Sequence, residues 1–305
     1  MKRKLIKQGN GALTVSLPKD WTQSKNISAG DEIEMYEEKG DLKISSHKKL
    51  IENTYSLSIT SENKHHLKHY LTHIYRLGFE RITISFDDES IVSEIENITH
   101  LELFGFEIMK KEKNSIVLES MFDSDNQKYA TIMKKVFLSL QEMASLLETI
   151  HEEKREVVLQ KLQDIFRKND RNIFFAKRSL SIHERNPEIR VLDWELLKGL
   201  LEVGHYIYYC AEKISPQKNQ VIYSTTLSIK HYISELSQFY FNLNEEKYYY
   251  FLDIKKIYFG ENLDALGIID SQHRASLSLM NSILRRIQLA ASPIYSKYLL
   301  LKRDH

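Results

Sequence analysis

From residue 125 onward, apolar side chains return every three or four positions, and that spacing commits most of the chain to helices. In the first such stretch Tyr129, Ile132, Met133, Val136, Phe137, Leu140, Met143, Leu147 and Ile150 share one helical face. Four prolines and ten glycines in 305 residues are too few for a turn-rich all-β fold. Breaks at Asn186-Pro187, Ser215-Pro216, Asn242–Asn244 and Gly260 predict six helices, roughly 125–151, 152–184, 189–214, 217–243, 244–259 and 263–290. Ser292-Pro293 predicts a short separate tail helix carrying Tyr295, Tyr298 and Leu299. The six fall into two three-helix halves of similar length.

Residues 53–122 alternate between the two periods. Tyr55, Leu57 and Ile59 alternate as a strand, and Leu67, Tyr70, Leu71, Ile74 and Leu77 follow at helical spacing, ending at Gly78. Ile82, Ile84 and Phe86 make the next strand, and Ile91, Ile95 and Ile98 a second helix. Two closing strands, carrying Phe106 with Ile108 and Ile116 with Leu118, flank a Lys113-Asn114 turn. The βαβαββ order predicts a small two-layer α/β domain.

Residues 1–50 form a third segment. Leu13, Val15 and Leu17 alternate with Thr14 and Ser16 as a half-buried strand. Pro18 opens one or two helical turns, in which Trp21 is expected to plug a small core. Ile33 with Met35 and Leu42 with Ile44 predict a hairpin around Gly40-Asp41. Fifty such residues bury too little apolar surface to stand alone, and domains of that size often oligomerise. The whole is an α+β multidomain chain, with domains at 1–50, 53–122 and 125–305.

Charge and motifs narrow the function. Net charge is +1, but Lys2, Arg3, Lys4, Lys7, Lys19 and Lys25 face only Asp20 in the opening stretch, so a nucleic-acid contact is expected to be local and N-terminal. The sequence lacks the glycine-rich phosphate loops, the nucleophile elbow and the H-E-x-x-H zinc motif, so it does not read as an enzyme. The lone Cys210 makes no internal disulfide and reads as a buried, inert thiol. No run of about 18 apolar residues is present, so a cytoplasmic protein without membrane insertion is expected.

The run KLIKQGNGALTVSLPKDW, followed by ISAGDEIEMYEEKGDLKIS, resembles the SpoVT/AbrB and MazE group of DNA-binding domains. The resemblance implies an N-terminal swapped-hairpin β-barrel: two chains exchange hairpins, and the homodimer presents a paired basic surface to DNA. The residues it points to here are Arg3, Lys4, Lys7, Gln8, Asn10 and Lys19. The lysines and Arg3 suit phosphates, Gln8 and Asn10 suit phosphates or base edges, and Gly9 and Gly11 let the backbone bend close to a surface. Members of the group often carry arginines in this hairpin, where the chain has Ala12, Thr14 and Ser16, so shape-dependent recognition fits better than base reading.

The remainder resembles archaeal proteins that join this domain to a PhoU-like region. The resemblance runs through LFGFEIMKKEKNSIVLESMFD, LQDIFRKNDRNIFFAKRSL and LLKGLLEVGHYIYYCAEKI. It implies an all-α bundle of two three-helix PhoU repeats in a cytoplasmic regulator of phosphate uptake and homeostasis. The middle domain would serve as a relay or small-ligand sensor. The alternative is a PhoU-like adaptor that docks a phosphate transporter or sensor kinase and uses its N-terminal domain only to dimerise.

PhoU proteins often hold metal between acidic residues four apart, and this sequence departs from that pattern. Phe166 stands four residues before Asp170, and Glu245 and Glu246 precede Tyr249 and Tyr250. Glu202 with His205, and Asp270 with His273, keep an acid-x-x-His spacing that facing helices can use, but ordinary hydrogen bonding accounts for it better, and no metal or other cofactor is expected. His65, His69 and His73 form a stripe opposite the apolar face, which suits an exposed surface more than a zinc site. The aromatic cluster of Tyr206, Tyr208, Tyr209, Phe239, Tyr240, Phe241, Tyr248, Tyr249, Tyr250 and Phe251 reads mainly as intradomain packing, its exposed remainder as a docking surface.

Overall fold

Asparagine or aspartate side chains cap the starts of four of the later helices. A computed structural model describes residues 2–9, 11–38, 41–46, 53–121, 126–184 and 186–303. The chain divides into two compact units, Met1–Thr54 and Tyr55–His305.

The first unit holds two hairpins and one short helix. Strands β1 (Ile6–Gln8) and β2 (Ala12–Thr14) pair antiparallel, with Lys7 opposite Leu13. Helix α1 (Lys19–Ser24) follows Pro18. Strands β3 (Ile33–Glu38) and β4 (Asp41–Ser46) pair antiparallel, with Met35 opposite Ile44. Two expectations change. The strand through Leu13 stops at Thr14, short of Val15 and Leu17. Trp21 is only half-buried, because one copy of this unit has too few apolar neighbours to enclose it. The expected turn at Gly40 lies outside the described residues. The two hairpins are separate two-stranded sheets in this single chain, and no closed barrel is seen among the described residues.

The second unit starts with the expected βαβαββ layer. Strands β5 (Thr54–Ile59), β6 (Arg81–Phe86), β7 (Phe106–Glu112) and β8 (Ser115–Ser120) form one sheet in the order β5-β6-β8-β7. β8 pairs antiparallel with both β6 and β7, and the Lys113-Asn114 turn joins Glu112 to Ser115. Helices α2 (Leu67–Arg76) and α3 (Val92–Glu102) pack with the sheet. Leu67, Leu71, Ile74 and Tyr75 meet Ile82, Ile84, Ile95 and Leu118 in its core. Tyr70, expected on the buried face, is exposed, and Tyr75 takes the core position instead.

Seven α-helices follow among the described residues: α4 (Asn126–Thr149), α5 (Arg155–His183), α6 (Pro187–Lys213), α7 (Gln220–Phe241), α8 (Glu245–Leu252), α9 (Asn262–Ile268) and α10 (Ser271–Arg303). Asn186, Asn219 and Asn244 each accept backbone N–H groups at the starts of α6, α7 and α8. The five long helices close into a ring: α5 packs on α4 and α6, α6 on α10, α10 on α7, and α7 back on α4.

The C-terminal third corrects the sequence reading. Gly260 lies inside a π-helical turn (Lys256–Glu261) that runs into α9, and so is no break. The break comes at Asp270, whose carboxylate accepts from the backbone N–H groups of Gln272 and His273 at 3.0 and 3.1 Å. No separate tail helix forms, because α10 runs through Pro293. Ala290 Cβ lies 3.3 Å from where a side chain would begin at Gly199 of α6, so the two backbones come close there. Pro293 and Ile294 are buried alongside. Packing along this seam outweighs the roughly 3 kcal/mol that an interior proline costs a helix.

α5 binds the α/β layer to the ring. Its buried Arg178 donates to the carbonyls of Tyr75 and Phe79 at 3.0 and 2.7 Å, and Ser181 Oγ donates to the carbonyl of Arg76 at 2.8 Å. These donors serve the end of α2, where helix carbonyls lack intrahelical partners.

Candidate functional site

Two regions carry concentrated polar chemistry, and the first is the basic hairpin of the N-terminal unit. Arg3 and Lys4 precede β1, Lys7 and Gln8 lie on it, and Lys19 opens α1; all five side chains are exposed. Asn10 lies outside the described residues. Gly9 and Gly11 take φ of +48° and +89°, backbone that L side chains rarely adopt, so the tight reversal between β1 and β2 depends on them. Gln8 Oε1 accepts from Thr14 Oγ1 at 2.7 Å, which leaves the Gln8 amide N–H groups to donate outward.

The same hairpins expose their apolar side chains. Leu5, Ile6, Leu13, Met35 and Leu42 are each at least 60% exposed, and no described residue between Lys2 and Asn53 is buried. Ile33, Met35, Leu42 and Ile44 share one face of the β3–β4 hairpin, since register places Met35 against Ile44 and alternate residues point together.

The second region is a polar seam along α5, flanked by α2 and α6. At one end Asp170, nearly buried, meets His205 with Nε2 and Oδ2 3.1 Å apart. Burial holds the Asp170 carboxyl above its ordinary value; His205 opposes that shift, and nearby Glu102 adds to it. Glu102 is itself paired with Lys68. Neighbouring Asn169 is fully buried, and neither polar atom of its side chain has a hydrogen-bond partner among the described residues. Gly204 makes this possible, since a Cβ there would sit 3.0 Å from Asn169 Nδ2.

Lys177 stands two turns further along α5. It is 4% exposed, its ammonium lies 5.3 Å over the ring of Trp194, and it makes no hydrogen bond or ion pair among the described residues. Burial pushes its amine down to about 8; Arg76 and Lys198 push the same way, and Glu202 pulls back. His73 is likewise held low, by burial first and then by Arg76, His69 and Lys177.

The acid-x-x-His pairs are spent on other bonds. Glu202 forms an ion pair with Arg286 at 3.0 Å, and His205 is engaged by Asp170. The Asp270 carboxylate meets His273 Nδ1 at 2.7 Å while His273 Nε2 meets the carbonyl of Gln217 at 2.9 Å. Both ring nitrogens therefore face acceptors, and the Gln217 carbonyl foremost raises the His273 pKa. Among the described residues no three His, Cys, Asp or Glu side chains group as a metal site would require. His65, on the turn before α2, and His69 and His73, on α2, are exposed at the surface, with His73 close enough to Arg76 and Lys177 to feel their charge. Cys210 is buried, and burial lifts its thiol to about 12, which suppresses the reactive thiolate.

Most of the aromatic cluster is packing. Phe239 and Phe251 are fully buried and stacked, with ring centroids 5.7 Å apart. Tyr248 stacks on Tyr295 at 4.1 Å. Tyr209, Phe241, Tyr249 and Tyr250 keep more than a third of their surface exposed.

Sequence reasoning missed Lys177 and Arg178. Their signal was present: both sit between Ile173 and Leu180 on a helix whose apolar stripe leaves them little solvent. No helix among the described residues is long and apolar enough to cross a membrane. No family model matches the chain, and comparisons with curated proteins and with solved structures find no match.

Proposed function

We propose that the chain is a homodimeric DNA-binding regulator, with phosphate uptake as the process it controls. One observation carries the DNA-binding part: the N-terminal unit exposes apolar side chains of its hairpins and its basic residues together, with none of its described residues buried in a single copy. A second copy that interlocks its hairpins with the first would bury Leu5, Ile6, Leu13, Met35 and Leu42. At about 1.5–3 kcal/mol per fully buried side chain, five from each copy can offset the cost of association.

Interlocking also doubles the charge. Arg3, Lys4, Lys7 and Lys19 become eight cations, and the free Gln8 amide N–H groups supply neutral donors for phosphate oxygens. The swapped-hairpin barrel, the PhoU-like repeats and phosphate as the signal all come from the sequence resemblance. In that reading α4–α6 form one repeat and α7–α10 the other.

Binding of the full chain to duplex DNA upstream of its own gene, or of a phosphate-transport gene, tests the proposal across a salt series. If all eight cations contact phosphates, log K should fall against log salt with a slope near −7, about 0.9 per phosphate. Replacing Lys4, Lys7 and Lys19 by Glu should abolish the binding. A dimer whose DNA binding is absent or salt-independent would refute the regulator. The exposed Tyr209, Phe241, Tyr249 and Tyr250 would then favour the adaptor reading, as anchors for a transporter or kinase.

A further inference from the structure

We infer that the cleft where α2 ends between α5 and α6 binds a small molecule carrying an oxyanion on a flat apolar body. Leu77, Ser181, Arg190, Val191, Trp194 and Lys198 line most of it, around a volume of about 640 Å³. That volume lies within the range of small-molecule sites.

Three independent features give the ligand its chemistry. The first is Lys177, which borders the cleft rather than lining it: it lies one turn before Ser181 on α5, with its ammonium 5.3 Å over the ring of Trp194, a lining residue. A lysine this deeply buried normally pairs with a carboxylate or carbonyl, and this one has neither among the described residues. The second is the surrounding charge. Arg76 and Lys198 act on Lys177, Arg190 and Lys198 line the cleft, Glu202 near Lys177 is committed to Arg286, and Glu195 is the one carboxylate lining the cleft among the described residues. The third is the wall: Leu77 and Val191 are more than 60% exposed, and with Trp194 they offer apolar surface to a ring.

An anionic group placed against Lys177 would supply its missing partner, and a flat body would cover Leu77, Val191 and Trp194. Carboxylate and phosphate share this chemistry. The inference concerns the unit Tyr55–His305 alone and does not depend on DNA binding.

Isothermal titration of the full chain with 2-naphthoate, 2-naphthyl phosphate and neutral 2-naphthamide tests it at pH 7. At least one anion should bind ten-fold or more tighter than the amide, and whichever anion does so identifies the preferred group. Lys177→Met should weaken that anion at least ten-fold and raise the melting temperature of the ligand-free protein, because it removes a buried cation without a partner. A lysine with a purely structural role would lower it. Lys177→Arg, which keeps the cation, should retain measurable binding.

A pH series on the unsubstituted chain gives a readout that needs no variant. The charged and titratable groups interacting with Lys177 are His73 and Arg76 from α2 and Lys198 and Glu202 from α6, while Arg190 and Glu195 from α6 line the adjoining cleft. Burial brings the titration of Lys177 into the interval between pH 7 and 9.5. Its ammonium is lost through about 8, so anion affinity should drop at least ten-fold over that interval. Equal binding of anions and amide, unchanged affinity in Lys177→Met, or pH-independent anion binding would each overturn the inference.

Discussion

Replacing Arg178 by Met should loosen the α/β layer from the helical ring. The guanidinium donates to the Tyr75 and Phe79 carbonyls, and it lies about 5 Å over the rings of Tyr75 and Phe106. The two carbonyls fare differently once it is gone. Tyr75 keeps the N–H of Gly78 at 3.1 Å, whereas Phe79 loses the donor the guanidinium supplies. A charged hydrogen bond to a buried carbonyl contributes roughly 1.5–3 kcal/mol, and leaving an acceptor buried and unpaired costs about 1–3 kcal/mol. Relief from burying a cation works the other way, and desolvation already holds the Arg178 pKa below its ordinary value. The balance is a loss of about 2–4 kcal/mol, a large share of the roughly 5–15 kcal/mol that holds a typical protein folded. Urea unfolding followed by circular dichroism measures it. Hydrogen exchange locates it, with protection lost first at the Leu77 and Gly78 amides that close α2. Arg178→Lys, able to reach one carbonyl, should recover about half. A Met variant within about 0.5 kcal/mol of the parent would show that Arg178 does not hold the two layers together.

Gly78→Ala should destabilise the same junction by about 1.5–3 kcal/mol, since Gly78 has φ of +92° and an added Cβ would meet Ile182 Cγ1 at 3.0 Å; an unchanged urea midpoint would contradict this. His273 binds its proton more tightly when folded, chiefly through the Gln217 carbonyl and then through Asp270. That stabilisation is complete below the unfolded value of about 6.5 and fades as pH rises through the higher folded value. The stability gap between the parent and His273→Gln should therefore be wider at pH 5.5 than at pH 8.5, and a gap constant with pH would refute the assignment.

What could be read from the sequence was local. Asn186-Pro187 and the asparagines before α8 end and start helices through their own side-chain chemistry, so they announced their boundaries. The βαβαββ layer showed in its alternation of periods, down to the two-residue turn at Lys113-Asn114. Reading failed where distant packing decides. Pro293 looks like a helix start until α6 is seen approaching α10 at Gly199, and Gly260 looks like a break although the chain winds a π-helical turn through it. Tyr70 and Tyr75 lie five apart on α2, and only the neighbouring strands decide which of them is buried. Lys177 and Arg178 were missed because their apolar neighbours Ile173 and Leu180 only hint at burial, and it takes the packing of α2 and α6 on α5 to show what closes over them. The basic hairpin was legible as residues, but its apolar faces are a matter of what covers them.

Solution mass tests that last point most directly. Light scattering on the full chain should give twice the chain mass, and Leu13→Asp with Leu42→Asp should halve it while leaving the helical circular dichroism intact. A parent of single-chain mass, or a double variant that stays dimeric, would contradict an N-terminal unit completed by its own second copy.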